Sequence, residues 1–559
     1  MGKLHIGRAR WFLTVLVLAT PTLLLAARRN KSSPQMEAPQ PESAEVASIV
    51  NRVIAEEQIF NHKLVEFSPR VETYVQYHKP DPELGDVARD DASFVGRLSF
   101  APSVKEISFI PNASLNWFRN RGQMLRAHLH VNSFATEPLV VDDGTFDRTH
   151  YSFEPVRWEY LGDMRCLAFD IHPLDKSQIG AFEGRIWVED RDYNIVRLNG
   201  IRVHAARTSF YVHFDCWREN LKPGLWLPVY IYSQETDIGK HLRYKAETRL
   251  WGYDLTAHRD QQEWTNIQVE GPAPIRDSSE QAADMSPVES QREVSIEAER
   301  NILDRLEKAR LIAPPGAVDK VLETVLNNLK VTNHLDNMPA VHCRVMLTSS
   351  LESFGLAYTI IVSRGLIDVL PDEGSLAMIL APELAHIALG HKIDPKYFFN
   401  DRMIVSDENL LASLDLVRDQ KDETEADTKA IELLKNSPYK DKLTQGGLFL
   451  REAADIAPRL PRMFGAHLGN GLTVGNKVIR MSVLATSAPA LAPKNLDQIA
   501  ALPLGSRVQV NAWNGTVTFT NRKAVPLLTA SEKMPFRVTP VIPYLKLYTQ
   551  QAKVEVSSR

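Results

Sequence analysis

The N-terminal part of the chain contains one uninterrupted apolar run followed by one amphipathic pattern. Residues 11–27 carry no charged side chain, and basic residues flank them on both sides. A basic segment followed by an apolar run is typical of an export signal, and the same run would anchor the chain if it were retained. We therefore predict a signal peptide or membrane anchor at residues 1–29, with cleavage left open. Residues 30–92 are predicted as a polar tether and an N-terminal helix, because apolar residues recur at helical spacing between Val46 and Ile54.

Strand patterns dominate residues 93–255. The segments 185–189 and 194–198, with turn residues between them, predict a hairpin, and similar runs follow at residues 210–217, 225–232 and 242–253. Strands at this spacing with turn signals between them indicate an antiparallel meander or open barrel. An acidic, glutamine-rich stretch broken by prolines then predicts an interdomain linker at residues 256–295.

Helical periodicity resumes in residues 296–475. An apolar stripe runs from Val318 to Leu329, and short strands are predicted at residues 344–347 and 358–363. Further helices follow these strands. This part of the chain is therefore predicted to be a mainly helical domain with short edge strands.

The last segment, residues 476–559, is predicted as a C-terminal extension. Within it Asn514-Gly515 separates two β-prone runs, which predicts a hairpin with a type I′ turn. The complete pattern gives an α+β, multidomain fold class, in which an antiparallel β domain precedes a mainly helical one.

Composition narrows the function classes. The 559 residues carry a formal net charge of −4, which offers no basic surface and argues against nucleic acid as a partner. The three cysteines, Cys166, Cys216 and Cys343, are too few for a disulfide framework or a cysteine-based zinc module. Cys166 and Cys216 fall in the predicted β domain, either as a pair or as two buried thiols.

One predicted helix carries a motif one residue short of a zinc-peptidase signature. In H-E-x-x-H two histidines bind zinc from one helix face, and the glutamate activates the metal-bound water. Glu383 and His386 hold the second and fifth positions, but Pro382 stands where the first histidine belongs. A second predicted helix begins with Glu423 and carries Asp427 one turn later, where one acid can bind a metal and the other can orient a ligand.

Together these two segments resemble metallopeptidase family forty-eight, the family of the CAAX prenyl proteases and the HtpX-like proteases. The resemblance spans residues 298–473. The matching segments are Ser363-Arg-Gly-Leu-Ile-Asp368, Glu383-Leu-Ala-His386, Leu389-Gly-His391 and the Glu-x-Glu-Ala-Asp pattern at 423–427. The resemblance implies a zincin-type domain in which Glu383 is the general base, His386 and Glu423 bind zinc, and Asp427 supports the ligands.

The family resemblance also implies a location and a partner. Since the chain shows a single N-terminal apolar run, it is similar to the soluble, exported branch, periplasmic or membrane-anchored on the extracytoplasmic side. In this branch an edge strand leads into the active-site helix and accepts extended polypeptides of the cell envelope. The segment ending at Ser363 corresponds to that edge strand.

The proline at position 382 changes what the resemblance implies for activity. Catalytic zinc needs three protein ligands, and proline offers none, so weak zinc binding or none is expected. His391 lies about 140° around a continued helix from His386, and His467 is either a replacement ligand or an ordinary loop histidine. We therefore predict a catalytically impaired metalloendopeptidase, with an active enzyme that has an atypical ligand set as the alternative.

The β region has a resemblance of its own. Residues 184–197 are similar to the repeating hairpin of LolA-type lipoprotein carriers, in which a curved sheet shelters acyl chains. This implies a LolA-like open β-barrel that binds an acyl or lipid ligand, and a lipid carrier is the third hypothesis. The side chains that would line such a cavity, or form an ordinary sheet core, are Phe210, Tyr211, Phe214, Trp217, Trp226, Tyr230, Tyr232 and Trp251.

Overall fold

A computed structural model describes most of the chain between residues 43 and 548. The described ranges are 43–100, 104–109, 139–141, 144–175, 177–203, 210–237, 242–255, 287–393, 409–411, 414–457, 472–474, 477–478, 480–505, 507–520 and 536–548. The predicted leader, the tether at 30–42, most of the predicted linker and His467 lie outside them. The chain divides into two units, Met1–Ala47 and Ser48–Arg559. Within the described ranges, no helix has the length and apolar character that crossing a membrane requires.

The largest element is an antiparallel sheet of ten strands. They are β1 (Arg70–Asp81), β2 (Gly85–Ser99), β3 (Lys105–Ser108), β4 (Tyr151–Leu161), β5 (Met164–Pro173), β6 (Phe182–Glu189), β7 (Ile195–Arg202), β8 (Phe210–Lys222), β9 (Leu225–Asp237) and β10 (Leu242–Trp251). Their order is β3-β2-β1-β10-β9-β8-β7-β6-β5-β4. The prediction of an antiparallel meander is therefore confirmed, as is the α+β fold class.

The sheet begins earlier than the sequence pattern indicated. β1 and most of β2 fall within residues 30–92, so the prediction of only a tether and helix there is wrong. β1 is buried on both faces along most of its length. A strand buried on both faces shows no alternation of polarity, which explains why the pattern did not reveal it.

Helix α1 (Ala44–Leu64) covers one face of the sheet and confirms the predicted amphipathic helix. Its Val50 and Phe60 are buried. Nη1 and Nη2 of Arg218, on β8, donate to the Glu57 carboxylate of α1 at 2.7 and 2.8 Å. The Arg218 guanidinium also lies 3.8 Å from the centroid of the Phe60 ring. A buried ion pair therefore fixes α1 on the sheet.

The aromatic side chains of the sheet are divided between its two faces. Phe214 and Arg218 lie on the α1 face of β8, because residues an even number apart share a face. Trp217 therefore lies on the opposite face, where it pairs with Tyr230 across the ladder. There the Arg197 guanidinium lies 4.4 Å from the Trp217 ring centroid. The aromatic residues predicted to line one cavity thus lie on both faces of the sheet. The structure does not describe the side chains of Phe210 and Tyr211.

The cysteines in this sheet are not paired. Cys166 lies on β5 and Cys216 on β8, with β6 and β7 between them. Three strand spacings of about 4.8 Å exceed the reach of a disulfide. Burial raises the pKa of both thiols to about 12, so they are buried apolar groups rather than reactive ones.

The second part of the fold is mainly helical. Its elements are α2 (Pro287–Lys308), α3 (Ala317–Thr332), β11 (His342–Met346), β12 (Ser353–Leu356), β13 (Thr359–Ser363), α4 (Arg364–Val369), α5 (Glu373–Leu389), α6 (Gln420–Lys435), a 3-10 turn (Lys440–Lys442), α7 (Leu443–Ile456), β14 (Thr473–Val474), β15 (Lys477–Val478), α8 (Ser482–Ser487), β16 (Val508–Val510) and β17 (Val517–Phe519). The predicted linker end at residue 295 is wrong, because α2 begins at Pro287. The first turns of α2 are polar, which hid them from a search for apolar periodicity.

A three-stranded sheet lies beside these helices in the order β11-β13-β12. β11 runs parallel to β13, and β12 runs antiparallel to it. The predicted edge strand ending at Ser363 is therefore the central strand β13, and that prediction is wrong. β13 is rich in Ile and Val and is largely buried, as central strands are, while the short β12 forms the edge.

A cluster of buried charges joins the ten-stranded sheet to the helical part. We call Glu72, Ser349, Arg364 and Asp368 the junction cluster. Arg364 donates to Glu72 of β1 at 3.2 Å and to Asp368 one helical turn later at 3.1 Å. Ser349 Oγ donates to the Glu72 carboxylate at 2.9 Å. These buried polar contacts therefore connect the ten-stranded sheet to the helical part of the second unit.

The C-terminal hairpin is confirmed, but its predicted turn type is wrong. β16 and β17 pair in antiparallel register. The Asn511 N–H donates to the Thr516 carbonyl at 2.8 Å, and the Gly515 N–H donates to the Asn511 carbonyl at 2.8 Å. The Asn511 side chain accepts from the Trp513 N–H at 2.9 Å. This side-chain turn starts the reversal early, so four residues form the loop instead of two.

Candidate functional site

Helix α5 holds the predicted motif in the interior of the protein. The Asp372 side chain caps its first turn by accepting from the Ser375 N–H at 2.8 Å, and Gly390, at φ 71°, ends it. Glu383 and His386 are both buried. Ionisable groups in such a position require polar partners, and these partners define the chemistry of the site.

Pro382 lies inside α5 without ending it. A proline has no N–H, so the helical bond to the carbonyl of Met378 is not made. Such a position costs about 3 kcal/mol relative to alanine in a helix interior. At the first position of the motif the helix therefore carries a buried apolar ring and no metal ligand.

The two predicted ligands lie next to each other. Helix α6 packs against α5, and Nε2 of His386 lies 3.3 Å from Oε2 of Glu423. Two ligands bound about 2.0–2.1 Å from a tetrahedral zinc are separated by about the same distance. The two residues that the resemblance implies as zinc ligands therefore lie next to each other, while their role in metal binding stays a prediction.

His391 also reaches His386, contrary to expectation. The two Nδ1 atoms are 3.0 Å apart, because the chain turns back at Gly390 and does not continue as a helix. The other ring nitrogen of His391 faces Glu425 at 3.5 Å. His391 thus lies on the opposite side of the His386 ring from Glu423, where it orients that ring.

An arginine that sequence reasoning missed completes the group. Arg480 contacts the same Glu423 oxygen that faces His386. A second guanidinium nitrogen of Arg480 contacts Asp427 at 2.9 Å, and the Met481 N–H donates to Asp427 at 2.9 Å. Burial lowers the pKa of Arg480 to about 9, so it remains positively charged at neutral pH. We call Glu383, His386, Glu423, Asp427 and Arg480 the candidate site.

Glu383 interacts electrostatically with two guanidinium groups, those of Arg418 and Arg480. Its Oε1 is 3.4 Å from Oγ of Ser353, on β12. Burial lowers the pKa of Arg418, and the Glu383 charge raises it. Glu383 acts in the same direction on the pKa of Arg480. The position that the resemblance gives to a general base is therefore held by a buried carboxylate that interacts electrostatically with Arg418 and Arg480.

These residues do not fit a catalytic zinc. Such a metal needs three protein ligands, and among the described residues no group of three or more His, Cys, Asp or Glu side chains is arranged to hold one. The acid that would be the second ligand, Glu423, instead contacts Arg480. A cation between His386 and Glu423 would meet this guanidinium, and like charges repel.

The edge of β12 is occupied as well. Nη2 of Arg418 donates to the Gly355 carbonyl at 3.1 Å, and the Ala357 N–H donates to the Glu299 carboxylate. All four residues of β12 are buried. An extended polypeptide that paired with this edge would have to displace Arg418. Neither arginine has a sequence signal beyond its identity, which is why both escaped prediction.

The sequence matches no protein-family model and no curated protein. Among solved structures, the chain is similar to a DUF1329 family protein from Desulfovibrio piger, with 11% sequence identity over 37% of this chain and 92% of that chain. The TM-score is 0.19, and a likeness at this level carries no argument about fold or function.

Proposed function

We propose that this protein is an exported relative of metallopeptidase family forty-eight that has lost hydrolysis and binds polypeptides of the cell envelope. The observation that supports this proposal is the combination of Pro382 with a preserved ligand pair. His386 and Glu423 lie 3.3 Å apart, beside a buried glutamate and an edge strand. The first motif position, however, holds a side chain that cannot bind metal.

The loss of hydrolysis follows from the chemistry of this class. Peptide hydrolysis here needs a cation that polarises the scissile carbonyl and lowers the pKa of the attacking water. Zinc would be held by His386 and Glu423 with only two of the three ligands that it requires. Glu383 would have no activated water from which to take a proton, so only the binding function remains.

Binding would take place at the edge of β12. A sheet edge recognises extended polypeptide through main-chain hydrogen bonds, and β12 packs against α5. The Arg418 contact to the Gly355 carbonyl occupies that edge. A client would therefore exchange this side-chain hydrogen bond for main-chain ones, which favours weak and reversible binding.

The proposed location rests on the N-terminal sequence. The uncharged run at residues 11–27 has basic residues on both sides, which is typical of an export signal or anchor. A protein delivered in this way meets unfolded envelope polypeptides as they emerge. This is the client class that we propose.

Unfolded casein tests these alternatives with the full chain. We expect labelled casein to bind reversibly, as measured by fluorescence anisotropy, and to remain intact on gels over the same period. Cleavage that Glu383→Gln abolishes would instead support the active enzyme. Failure to bind casein, together with acyl lipid extracted from the purified protein, would support the lipid carrier.

A further inference from the structure

We propose that Arg480 is the built-in cation of this site: its guanidinium takes the place of a metal beside Glu423 and excludes zinc. This rests on the proposed function, because it treats His386 and Glu423 as a ligand pair inherited from a peptidase. It also goes further, since it attributes the loss of metal to two residues, Pro382 and Arg480. Restoring the missing histidine would then not be sufficient to recover a metal site.

The charges in the site require a cation. The site contains three carboxylates, from Glu383, Glu423 and Asp427. Glu383 is buried, and the other two are largely buried. Buried carboxylates are costly unless they are paired. A zinc ion would supply positive charge at this point in a working peptidase. Here Arg480 supplies it.

The geometry of Arg480 matches this role. Glu423 and Asp427 are four residues apart on α6 and therefore share one helix face. One guanidinium nitrogen contacts Glu423, while Nη2 and Nε contact Asp427 at 2.9 and 3.3 Å. A planar guanidinium can bridge two carboxylates in this way, whereas a lysine ammonium would act as a point charge.

The backbone also holds Arg480 in position. The next residue, Met481, has a positive φ of 48° and donates its N–H to Asp427. A non-glycine residue rarely adopts that conformation unless the surrounding structure imposes it. Arg480 is therefore a fixed component of the site and not a flexible surface side chain.

Exclusion of zinc follows from the shared oxygen. Oε2 of Glu423 faces both His386 and Arg480. A zinc ion about 2.0–2.2 Å from this oxygen would lie against the guanidinium. Binding would therefore require Arg480 to leave, which would break its two contacts with Asp427.

Zinc affinity in four full-length variants tests the proposal. They are Pro382→His alone and Pro382→His combined with Arg480→Met, Arg480→Lys or Arg418→Met. Arg418 is the matched control, since it is a buried arginine near Glu383 that contacts the Gly355 carbonyl and not Glu423. Zinc affinity would be measured by competition with a chromophoric chelator, and thermal unfolding would be followed with and without zinc.

We expect the Pro382→His/Arg480→Met variant to bind one zinc at least about 100-fold more tightly than Pro382→His alone, because a unit charge about 4 Å away opposes the metal even at an effective dielectric of about 20. Zinc should also raise its unfolding temperature. The Arg480→Lys and Arg418→Met combinations should bind as weakly as the single variant. The lysine combination retains the charge and remains informative if the methionine combination does not fold.

Three results would overturn the proposal. Equal zinc affinity in Pro382→His with and without Arg480→Met would show that Arg480 does not exclude metal. An equal gain from Arg418→Met would indicate a general effect of charge. Tight zinc binding by Pro382→His/Arg480→Lys would show that a positive charge at position 480 does not exclude the metal. The casein experiment judges the proposed function separately, because polypeptide binding by the unmodified chain does not depend on any of these variants.

Discussion

Two buried arginines in this protein each bridge two carboxylates, yet their surroundings differ. In the junction cluster Arg364 and its partners Glu72 and Asp368 are at most 1% exposed. In the candidate site the partners of Arg480, Glu423 and Asp427, are 13% and 12% exposed. The first cluster is sealed between two parts of the fold, whereas solvent reaches the second.

The two clusters also differ in what saturates the acids. Asp368 accepts from the backbone N–H groups of Gly505, Arg507 and Val508 at 2.7–3.0 Å, so its lone pairs are used by the fold. Glu423 instead faces an imidazole and a guanidinium. Acids saturated by backbone donors indicate a structural role. Acids that face ionisable side chains in a partly accessible position are typical of functional sites.

The largest expected effect is on the junction cluster. Arg364→Met removes the buried cation that contacts both Glu72 and Asp368, so we expect a loss of about 3–5 kcal/mol in the free energy of unfolding. Urea unfolding of the full chain measures it. The control is Arg300→Met, because Arg300 is an exposed arginine that pairs with the exposed Glu297 at 3.5 Å. This control should lose at most about 1 kcal/mol, and equal losses would contradict the structural assignment of the junction cluster.

The junction cluster and the candidate site differ in how closely neighbouring atoms pack around a glycine. A Cβ on Gly365 would lie 2.1 Å from the Ser349 carbonyl oxygen, whereas a Cβ on Gly355 would lie 3.6 Å from Arg418 and Glu383. We expect Gly365→Ala to cost about 1–3 kcal/mol of unfolding free energy, as overpacking does. Gly355→Ala should change it by less than about 0.5 kcal/mol. Similar costs in urea unfolding would show that the candidate site is as closely packed as the junction.

The sequence was informative where local pattern and motif spacing determine structure. Glu383, His386 and Glu423 were named because the spacing of their two motifs resembles that of metallopeptidase family forty-eight, and the structure shows that the two helices carrying them pack together. Arg480 was not identified, since no local pattern connects a lone arginine to an acid on another element. The junction cluster was missed for the same reason, as Arg364 and Glu72 are 292 residues apart.

The predicted position of His391 was wrong, although the sequence contains the signal that would have corrected it. The prediction that His391 points away from His386 assumed a continuous helix, yet a glycine before His391 is a common helix terminator in left-handed conformation. Gly390 adopts that conformation. The order of strands in the small sheet, by contrast, depends on the pairing of β12, whose four residues carry too little pattern to predict.

A smaller effect is expected at the edge of β12. Arg418→Ala removes the hydrogen bond to the Gly355 carbonyl, and a hydrogen bond from a charged group is worth about 1.5 kcal/mol. Casein affinity should therefore rise by about tenfold. The matched control is Arg451→Ala, since Arg451 also donates to a backbone carbonyl, that of Ala485 at 2.6 Å, but not beside β12. A rise in both variants, or in neither, would place polypeptide binding elsewhere.

The smallest effect is expected from His391→Asn. His391 contacts His386 through one ring-to-ring hydrogen bond of 3.0 Å, while Glu423 and Arg480 remain in place. A single hydrogen bond of this kind contributes about 0.5–1.5 kcal/mol, so the urea midpoint should fall slightly. The imidazole proton signals of His386 should shift, because its ring loses the group that orients it. A loss of about 3 kcal/mol or more would mean that the histidine pair supports the fold as strongly as Arg364 does, and the distinction between the two clusters would no longer hold.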